Sequence, residues 1–263
     1  MSLDLTAKTL AEHSRGLAGW MLGFAGVAAL YTSSYAILDP ETIQGALTGI
    51  PAEIIEAMGW ANMGTPTGYL GSTVFGIVGP ILMVVFAIGM GSRLIAGDEE
   101  SGTLEVIVSH PVTRTRLLVE RSIALVLVCL AAAAVVLATV LLVGSLVGLD
   151  APVGPVVAAS ANLGLLGVAI GALAILVGGL TGRRALVMAV GAFVAVVGYA
   201  GSTFLVMAEG LEWLRWISLF HYYDGPGVLE SGPNLAYSAV LVAVAVAAVA
   251  LGAVGFARRD LGT

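Results

Sequence analysis

Six long apolar stretches alternate with shorter polar segments along this chain. Each stretch reaches or approaches the roughly 20 apolar residues that a helix needs to cross the hydrocarbon core of a bilayer. We predict transmembrane helices, called spans 1 to 6, at Gly16–Ala36, Tyr69–Gly91, Ile123–Leu149, Val153–Leu180, Ala185–Met207 and Leu235–Ala257. The pattern therefore predicts an all-α integral membrane protein in which residues 1–263 form a single transmembrane domain.

The composition favours lipid over water as the main solvent. Hydrophobic residues make up 59% of the chain and charged residues 11%, whereas a soluble domain carries roughly 25% charged residues. Cys129 is the only cysteine and lies within an apolar stretch. The sequence therefore predicts neither a disulfide framework nor a metal site.

The first span could be mistaken for a cleaved signal peptide. A long amphipathic segment precedes it, with Leu3, Leu5 and Leu10 among charged residues, and no clear small-residue cleavage site follows. We therefore expect span 1 to remain in the protein.

The positions of the cations predict the orientation, because cytoplasmic loops carry an excess of Lys and Arg. Arg215 is the only cation on one side of the six-span topology. The other side holds Lys8, Arg15, Arg93, Arg114, Arg116, Arg121, Arg183, Arg184, Arg258 and Arg259. We predict that both termini are cytoplasmic. The chain is rich in Ala, Val and Gly and poor in Lys, which is typical of a prokaryotic plasma membrane protein.

The predicted spans contain no formal charge, and all three histidines lie in loops. An ion-coupled carrier usually needs a titratable group near the bilayer midplane. An intramembrane enzyme would need a nucleophile with a base, or a metal cluster, at that depth. The pattern therefore favours a protein whose energy enters from outside the bilayer. A stand-alone six-helix carrier or channel, or a membrane-embedded enzyme or assembly factor, remains an alternative.

Small residues mark spans 2 and 4. Glycines recur in both spans and allow helices to approach closely, either inside one bundle or at a subunit interface. Pro80 follows Gly79 within span 2 and favours a kink there, with or without a hinge role. The glycines concerned are Gly71, Gly76, Gly79, Gly164, Gly167 and Gly171.

Two external loops have distinct characters. The first, at about 37–68, is long and predicts short helices interrupted at Pro51. The second, at about 208–234, is aromatic, and we interpret Trp213 and Trp216 as part of an interfacial belt.

The loop between spans 2 and 3 is the most polar segment. We predict that span 2 stops near Gly97 and that an acidic cluster then begins a new helix, where it suits the positive end of the helix dipole. Apolar residues at helical spacing follow, Pro111 ends that helix and Thr113 caps span 3. The pattern predicts a short helix across the cytoplasmic face. We expect Arg114, Arg116 and Arg121 to contact anionic lipid.

Two motifs resemble the signature of ABC type-2 permeases. The first is Asp98-Glu99-Glu100-Ser101-Gly102-Thr103-Leu104-Glu105, followed by His110-Pro111-Val112-Thr113-Arg114. The second, Ser218-Leu219-Phe220-His221-Tyr222-Tyr223-Asp224, is similar to a Ser-Pro-Phe-His-Tyr-Tyr-Asp stretch of small permeases, with Leu219 where proline is usual. With the six-span topology, the resemblance covers essentially the whole chain.

The resemblance implies a permease subunit of an ATP-driven transporter. We expect it to export small amphipathic or hydrophobic compounds. Family members pair as dimers of six-helix subunits and have no ATPase activity of their own. A separate nucleotide-binding subunit holds ATP and Mg²⁺, and this chain has no phosphate-binding Gly-x-x-x-x-Gly-Lys-Ser/Thr motif. The implied partners are that ATPase, a second permease copy or paralogue, and membrane lipid, with no nucleic acid, bound cofactor or catalytic residue.

The resemblance also assigns residues to two roles. The acidic cluster is interpreted as a coupling element, and a solvated turn that ends a membrane helix is the alternative. The second motif is expected to shape the external gate. Coupling to the ATPase is implied for Gly97, Asp98, Glu99, Glu100, Ser101, Gly102, Thr103, Leu104 and Glu105; the external gate is implied for Phe220, His221, Tyr222, Tyr223 and Asp224.

Overall fold

The computed structural model describes residues 4–37, 45, 47–57, 60–100, 113–203 and 210–259. All regular secondary structure in these ranges is helical. Six helices are long and apolar enough to cross a membrane, which confirms the predicted all-α, six-span architecture. Spans 1 to 6 are Ser14–Ile37, Pro66–Glu100, Arg114–Val147, Val153–Thr181, Arg184–Thr203 and Leu235–Arg258. The helix expected between spans 2 and 3 falls in 101–112, outside the described residues.

Spans 2 and 3 are longer than their apolar stretches. Span 2 continues through Asp98–Glu100 instead of stopping near Gly97, and the helix of span 3 begins at Arg114, directly after the predicted cap and well before the apolar stretch that starts at Ile123. The predicted cap at Thr113 is present, because its hydroxyl oxygen accepts a hydrogen bond from the Arg116 amide at 3.3 Å. The prediction that no charge lies within a span is therefore wrong for these helix ends. Hydrocarbon thickness limits the apolar stretch, not the helix, and a 34-residue helix is about 51 Å long.

Span 2 is interrupted by two π-helical segments, Val74–Val78 and Arg93–Gly97, on either side of an α-helical section, Gly79–Ser92. The Gly79 amide bonds to the Val74 carbonyl five residues earlier. At the same spacing, Pro80 has no N–H to donate to the Phe75 carbonyl. The kink predicted at Gly79 and Pro80 thus corresponds to a π-helical segment that leaves one backbone carbonyl without a helical donor.

Span 4 lies at the centre of the bundle. In its most apolar stretch 72% of the residues are buried, compared with 61% in span 2, 17% in span 1 and 11% in span 5. A Cβ atom at Gly167 would lie 2.6 Å from the Met83 sulfur of span 2, and one at Gly171 would lie 2.6 Å from Leu125 of span 3. The glycines of span 4 therefore serve close packing within this chain.

Short helices occupy the loops at the far side of the bundle from the chain ends. They are Ala52–Ala57, Leu214–Ile217, Leu219–Tyr223 and Gly225–Ser231. The expected small external helices are therefore present among the described residues. An additional helix, Asp4–Glu12, precedes span 1 and packs against span 3 through a hydrogen bond from the Thr6 hydroxyl to the Glu120 carbonyl at 3.1 Å.

The alternation of the spans gives the bundle two ends. Spans 2, 4 and 6 finish at one end, which we call the acidic end and define by Asp98–Glu100, Arg114–Arg121, Arg184 and Arg259. The opposite end, which we call the aromatic end, is defined by Trp213–Asp224 and Tyr237.

Candidate functional sites at the two ends of span 2

Asp98 forms an ion pair with Arg121 of span 3. The Arg121 Nη2 atom lies 2.5 Å from the Asp98 Oδ2 atom, and the two side chains are 4% and 18% exposed. A buried guanidinium is strongly disfavoured unless a negative charge compensates it. The Nε and Nη1 atoms of Arg121 nevertheless have no hydrogen-bond partner among the described residues. The ion pair therefore holds spans 2 and 3 together but leaves the buried arginine only partly satisfied.

Glu99 pairs with Arg259, the residue after span 6. The Arg259 Nη2 atom donates to the Glu99 Oε1 atom. The Nη1 atom of the same guanidinium donates to the Gly179 carbonyl at 3.1 Å, near the end of span 4. A cation at this position complements the negative end of the helix dipole. One arginine thus connects span 2 to spans 4 and 6.

The Glu99 and Arg259 pair lies directly over Gly182. This residue ends span 4 with φ of +64°, in the left-handed region, and a Cβ atom there would lie 2.5 Å from both carboxylate oxygens of Glu99. Glycine is therefore required at this position both by the backbone conformation and by the space that the ion pair occupies.

Glu100 contacts the start of span 5. Its Oε1 atom accepts a hydrogen bond of 2.8 Å from the backbone amide of Arg184, the first residue of that helix. Amides in the first turn of a helix have no acceptor within the helix, and a carboxylate there also complements the positive end of the dipole. Three consecutive carboxylates therefore connect the end of span 2 to span 3, to spans 4 and 6 through Arg259, and to span 5.

Glu120 binds the helix before span 1 in a similar way. It is fully buried, accepts a hydrogen bond of 2.8 Å from the Arg116 Nε atom and accepts another of 3.1 Å from the Leu5 amide. Arg114 donates to the Arg259 carbonyl. The expectation that Arg121 contacts lipid is wrong, because that residue is 3% exposed and paired within the protein; Arg114 and Arg116 also have partners within the chain.

The predicted coupling segment is divided by the limits of the described residues. Gly97 lies in the second π-helical segment, and Asp98, Glu99 and Glu100 make the contacts described above. Ser101, Gly102, Thr103, Leu104 and Glu105 lie outside the described residues.

At the aromatic end, Tyr223 binds the interrupted part of span 2. Its buried hydroxyl donates a hydrogen bond of 2.8 Å to the Phe75 carbonyl. Pro80 cannot donate to this carbonyl, because proline has no N–H. The Asn162 side chain of span 4 donates to the Tyr223 carbonyl at 3.2 Å and accepts from Ser238 of span 6 at 2.8 Å. These neutral hydrogen bonds connect the segment between spans 5 and 6 to spans 2 and 4, and through Asn162 to span 6.

These contacts lie inside the bundle rather than on its rim. Phe75 is nine residues into span 2 and Asn162 is nine residues into span 4. At a rise of 1.5 Å per residue, both positions are about 14 Å from the helix starts. The helix Leu219–Tyr223 therefore lies within the opening between the spans at the aromatic end. We call this helix the aromatic-end plug.

The five residues of the predicted external gate face two environments. Phe220 and Tyr223 are buried in the core. His221 and Tyr222 belong to an outer aromatic cluster, in which the His221 ring lies 5.0 Å from Trp216, 5.2 Å from Tyr222 and 5.1 Å from Tyr237. The outer face is held by aromatic rings in edge-to-face and tilted contacts, while the inner face is held by hydrogen bonds.

Burial shifts the pKa values of this segment toward neutral side chains. Desolvation, assisted by Arg215, lowers the pKa of His221. Desolvation and the neighbouring Asp224 carboxylate raise the pKa of Tyr223 well above its usual value. Desolvation also raises the pKa of Asp224, with the nearby Glu230 adding to the effect and a hydrogen bond from the Gly227 amide opposing it. Asp224 itself adopts φ of +40°, the only positive value among the described non-glycine residues.

An apolar groove runs between spans 2 and 5 and ends at Phe220. Its volume is about 480 Å³. The Phe220 ring contacts Tyr199 of span 5, with centroids 5.4 Å apart. The groove is lined by residues that include Ile81, Val85, Met188, Val196, Tyr199 and Phe220. One residue of the predicted gate therefore forms part of the groove wall.

Sequence reasoning missed the partners of these residues, Phe75, Asn162, Arg121 and Arg259 among them. Pro80 indicated that a carbonyl in span 2 would lack its helical donor. It did not indicate that the Tyr223 hydroxyl would donate to that carbonyl instead. Within the described residues, no group of three or more His, Cys, Asp or Glu side chains is arranged to hold a metal ion.

Comparison with known proteins gives one family match. The model of a family described as "ABC-2 family transporter protein" matches residues 8–261. No curated protein matches the chain significantly.

Proposed function

The chain belongs to the ABC-2 family of transporter proteins, and from that premise we propose that it exports small amphipathic or hydrophobic compounds in a complex with a separate ATPase. The coarser assignment follows from the family itself: the chain is a multi-pass membrane permease subunit, and it is not itself an enzyme. In the proposed complex, the ATPase subunits bind ATP and Mg²⁺, and a second copy or paralogue of the permease completes the transporter.

The observation that carries the proposal is the contact pattern at the end of span 2. Asp98, Glu99 and Glu100 contact three different parts of the bundle immediately before the loop at 101–112. That loop includes most of the segment for which the family resemblance implies contact with the ATPase. A displacement of the loop by the ATPase would therefore act on several spans together, as coupling requires.

The apolar groove between spans 2 and 5 suits the proposed substrates. Its walls are hydrocarbon and aromatic side chains, and a ligand site of this kind favours molecules with a large apolar surface. Phe220 places the aromatic-end plug at one end of the groove. We infer that a substrate entering from lipid would pass along this groove toward the plug.

The proposed orientation places the acidic end in the cytoplasm of a prokaryotic cell. Ten of the 11 cations belong to segments that begin or finish at the acidic end, and Arg215 belongs to the aromatic end. This asymmetry follows the positive-inside rule. The orientation also places the 101–112 loop where a cytoplasmic ATPase can reach it.

The experiment is co-expression with each candidate ABC ATPase from the genome of the source organism, followed by purification and reconstitution. We expect a stable complex whose ATP hydrolysis drives efflux of an amphipathic dye such as ethidium from proteoliposomes. Gly102→Trp, in the proposed contact loop, should weaken the complex at least about tenfold. Asp150→Arg, an exposed acidic residue between spans 3 and 4, is the matched control and should leave it intact.

Two outcomes would contradict this function. One is efflux at the same rate without the ATPase or without nucleotide, which would indicate a stand-alone carrier or channel. The other is the absence of any complex with the ATPase when both proteins are folded in the membrane.

A further inference from the structure

Asp98, Glu99 and Glu100 already have partners within the chain. Asp98 is paired with Arg121, Glu99 with Arg259, and the side chains of these two acids are 18% and 25% exposed. Glu100 accepts the first amide of span 5. A docking patch for another protein would present its carboxylates to solvent. The Asp98 and Glu99 carboxylates are instead used between helices of the same bundle, and Glu100, which is exposed, also accepts its hydrogen bond from this chain.

The three acids are consecutive on one helix, which determines how their contacts can change. Successive residues of an α-helix point about 100° apart, so three neighbours reach three different sides. A rotation of this single turn therefore moves all three carboxylates away from their partners together. The contacts form one mechanical unit.

The residues immediately before this unit provide a joint. Arg93–Gly97 is π-helical, while the preceding section, Gly79–Ser92, is α-helical. Departures from the α-helical hydrogen-bond pattern are frequent at sites of function and are a recognised cause of bending. The last turn of span 2 can therefore reorient without moving the central section.

The contacts of Asp98, Glu99 and Glu100 leave Arg121 in an arrangement that is not its least strained one. Two nitrogen atoms of its buried guanidinium have no hydrogen-bond partner among the described residues. Unsatisfied buried donors are unfavourable and rare, and stored strain is one reason for which a protein keeps them. An arginine in a contact that opens and closes has a physical reason to be held this way.

We propose that Asp98, Glu99 and Glu100 form an ionic clasp that closes the acidic end of the bundle and opens when the last turn of span 2 rotates. The clasp is a gating device rather than a docking patch for the ATPase. The source of the rotation rests on the proposed function; the closure of the acidic end by the clasp does not.

The test uses two buried serines of span 2 as matched reporters. Ser92 is fully buried near the acidic end, and Ser72 is 1% exposed near the aromatic end. Each hydroxyl donates to a carbonyl of its own helix, Gly89 for Ser92 and Gly68 for Ser72. Because Cys129 is the only cysteine, Cys129→Ala provides a background in which Ser92→Cys or Ser72→Cys is the single thiol.

The measurement is the rate at which a membrane-impermeant maleimide labels each thiol in the reconstituted full chain without the ATPase. We expect Asp98→Asn and Glu99→Gln each to increase labelling at position 92 by about tenfold and to leave labelling at position 72 within twofold. The charge exchange Asp98→Arg with Arg121→Asp should return the rate at position 92 toward that of the parent.

Unchanged labelling at position 92 in both single variants would overturn the clasp. Equal increases at positions 92 and 72 would also overturn it, because they indicate general loosening. If the Asp98 variant does not fold, the more exposed Glu99 and Arg259 pair decides the question through Glu99→Gln and Arg259→Gln. Loss of ATPase binding with unchanged labelling would support a docking patch instead. Since labelling needs no ATPase, failure of the clasp and failure of the proposed function are separate results.

Discussion

The two ends of span 2 are held by different kinds of interaction. At the acidic end, charged side chains pair across helices, as Asp98 does with Arg121. At the aromatic end, neutral groups make the contacts, as the Tyr223 hydroxyl does with the Phe75 carbonyl. A buried charge loses much free energy when its partner is removed, whereas a neutral hydrogen bond contributes only about 1 kcal/mol. Removal of one partner should therefore cost more free energy at the acidic end than at the aromatic end.

The largest effect should come from removing one member of the buried ion pair. Asp98→Ala leaves the Arg121 guanidinium uncompensated and should lower the free energy of unfolding by about 3–5 kcal/mol. Asp98→Ala combined with Arg121→Met removes both charges and should recover most of that loss. Chemical unfolding in detergent micelles measures both. If the loss in the double variant equals the sum of the losses in Asp98→Ala and Arg121→Met alone, the two residues do not interact.

The next effect compares two glycines that share a backbone conformation. Gly182 at the acidic end has φ of +64° and lies beneath the Glu99 and Arg259 pair, while Gly148, at the opposite end, has φ of +72° and open space around it. Alanine at either position costs about 1–2 kcal/mol in the left-handed conformation. Gly182→Ala should cost roughly 1 kcal/mol more, because its Cβ displaces the ion pair. Thermal unfolding of both variants measures the difference, and identical losses would argue against a tight seat for the pair.

The sequence predicts the spans well where a turn or cap residue limits them. Spans 4 and 6 begin at the predicted Val153 and Leu235, after Pro152 and Asn234. The acidic end of span 2 was placed too early, because charged residues mark the limit of hydrocarbon rather than the end of helical hydrogen bonding, whereas the predicted cap at Thr113 located the start of the span 3 helix correctly.

The partners of the site residues could not be predicted from local pattern. Glu99 and Arg259 are 160 positions apart, and Phe75 and Tyr223 are 148 apart. Their pairing depends on which helices are neighbours in the bundle, and hydrophobic periodicity does not encode that when a span is apolar on all sides. The sequence drew attention to the acidic cluster, but its contacts within the chain required the tertiary structure.

A smaller effect should separate the inner and outer faces of the aromatic end. Tyr223→Phe leaves the buried Phe75 carbonyl without its donor and should cost about 1–2 kcal/mol of stability. Tyr222→Phe removes a hydroxyl that donates to the exposed Trp216 carbonyl, which water can reach, and should cost under about 0.5 kcal/mol. Thermal unfolding gives both values. A larger loss for Tyr222→Phe would reverse the assignment of Tyr223 as the contact that holds the plug.

The smallest effect is the contribution of His221, at the aromatic end, to the dependence of stability on pH. Burial and Arg215 lower the pKa of His221 in the folded protein below its ordinary value of 6.5. Between the lowered pKa and 6.5, the unfolded chain binds more protons than the folded chain, so stability rises with pH across that window. The contribution is fully present above about pH 6.5 and declines as the pH falls toward the folded pKa. Melting temperatures at pH 7.5 and 5.5 should therefore differ less in His221→Gln than in the parent, while Lys8→Gln, an exposed change at the acidic end, should preserve the parent's difference. An unchanged difference in His221→Gln would place the pH-sensitive group elsewhere in the chain.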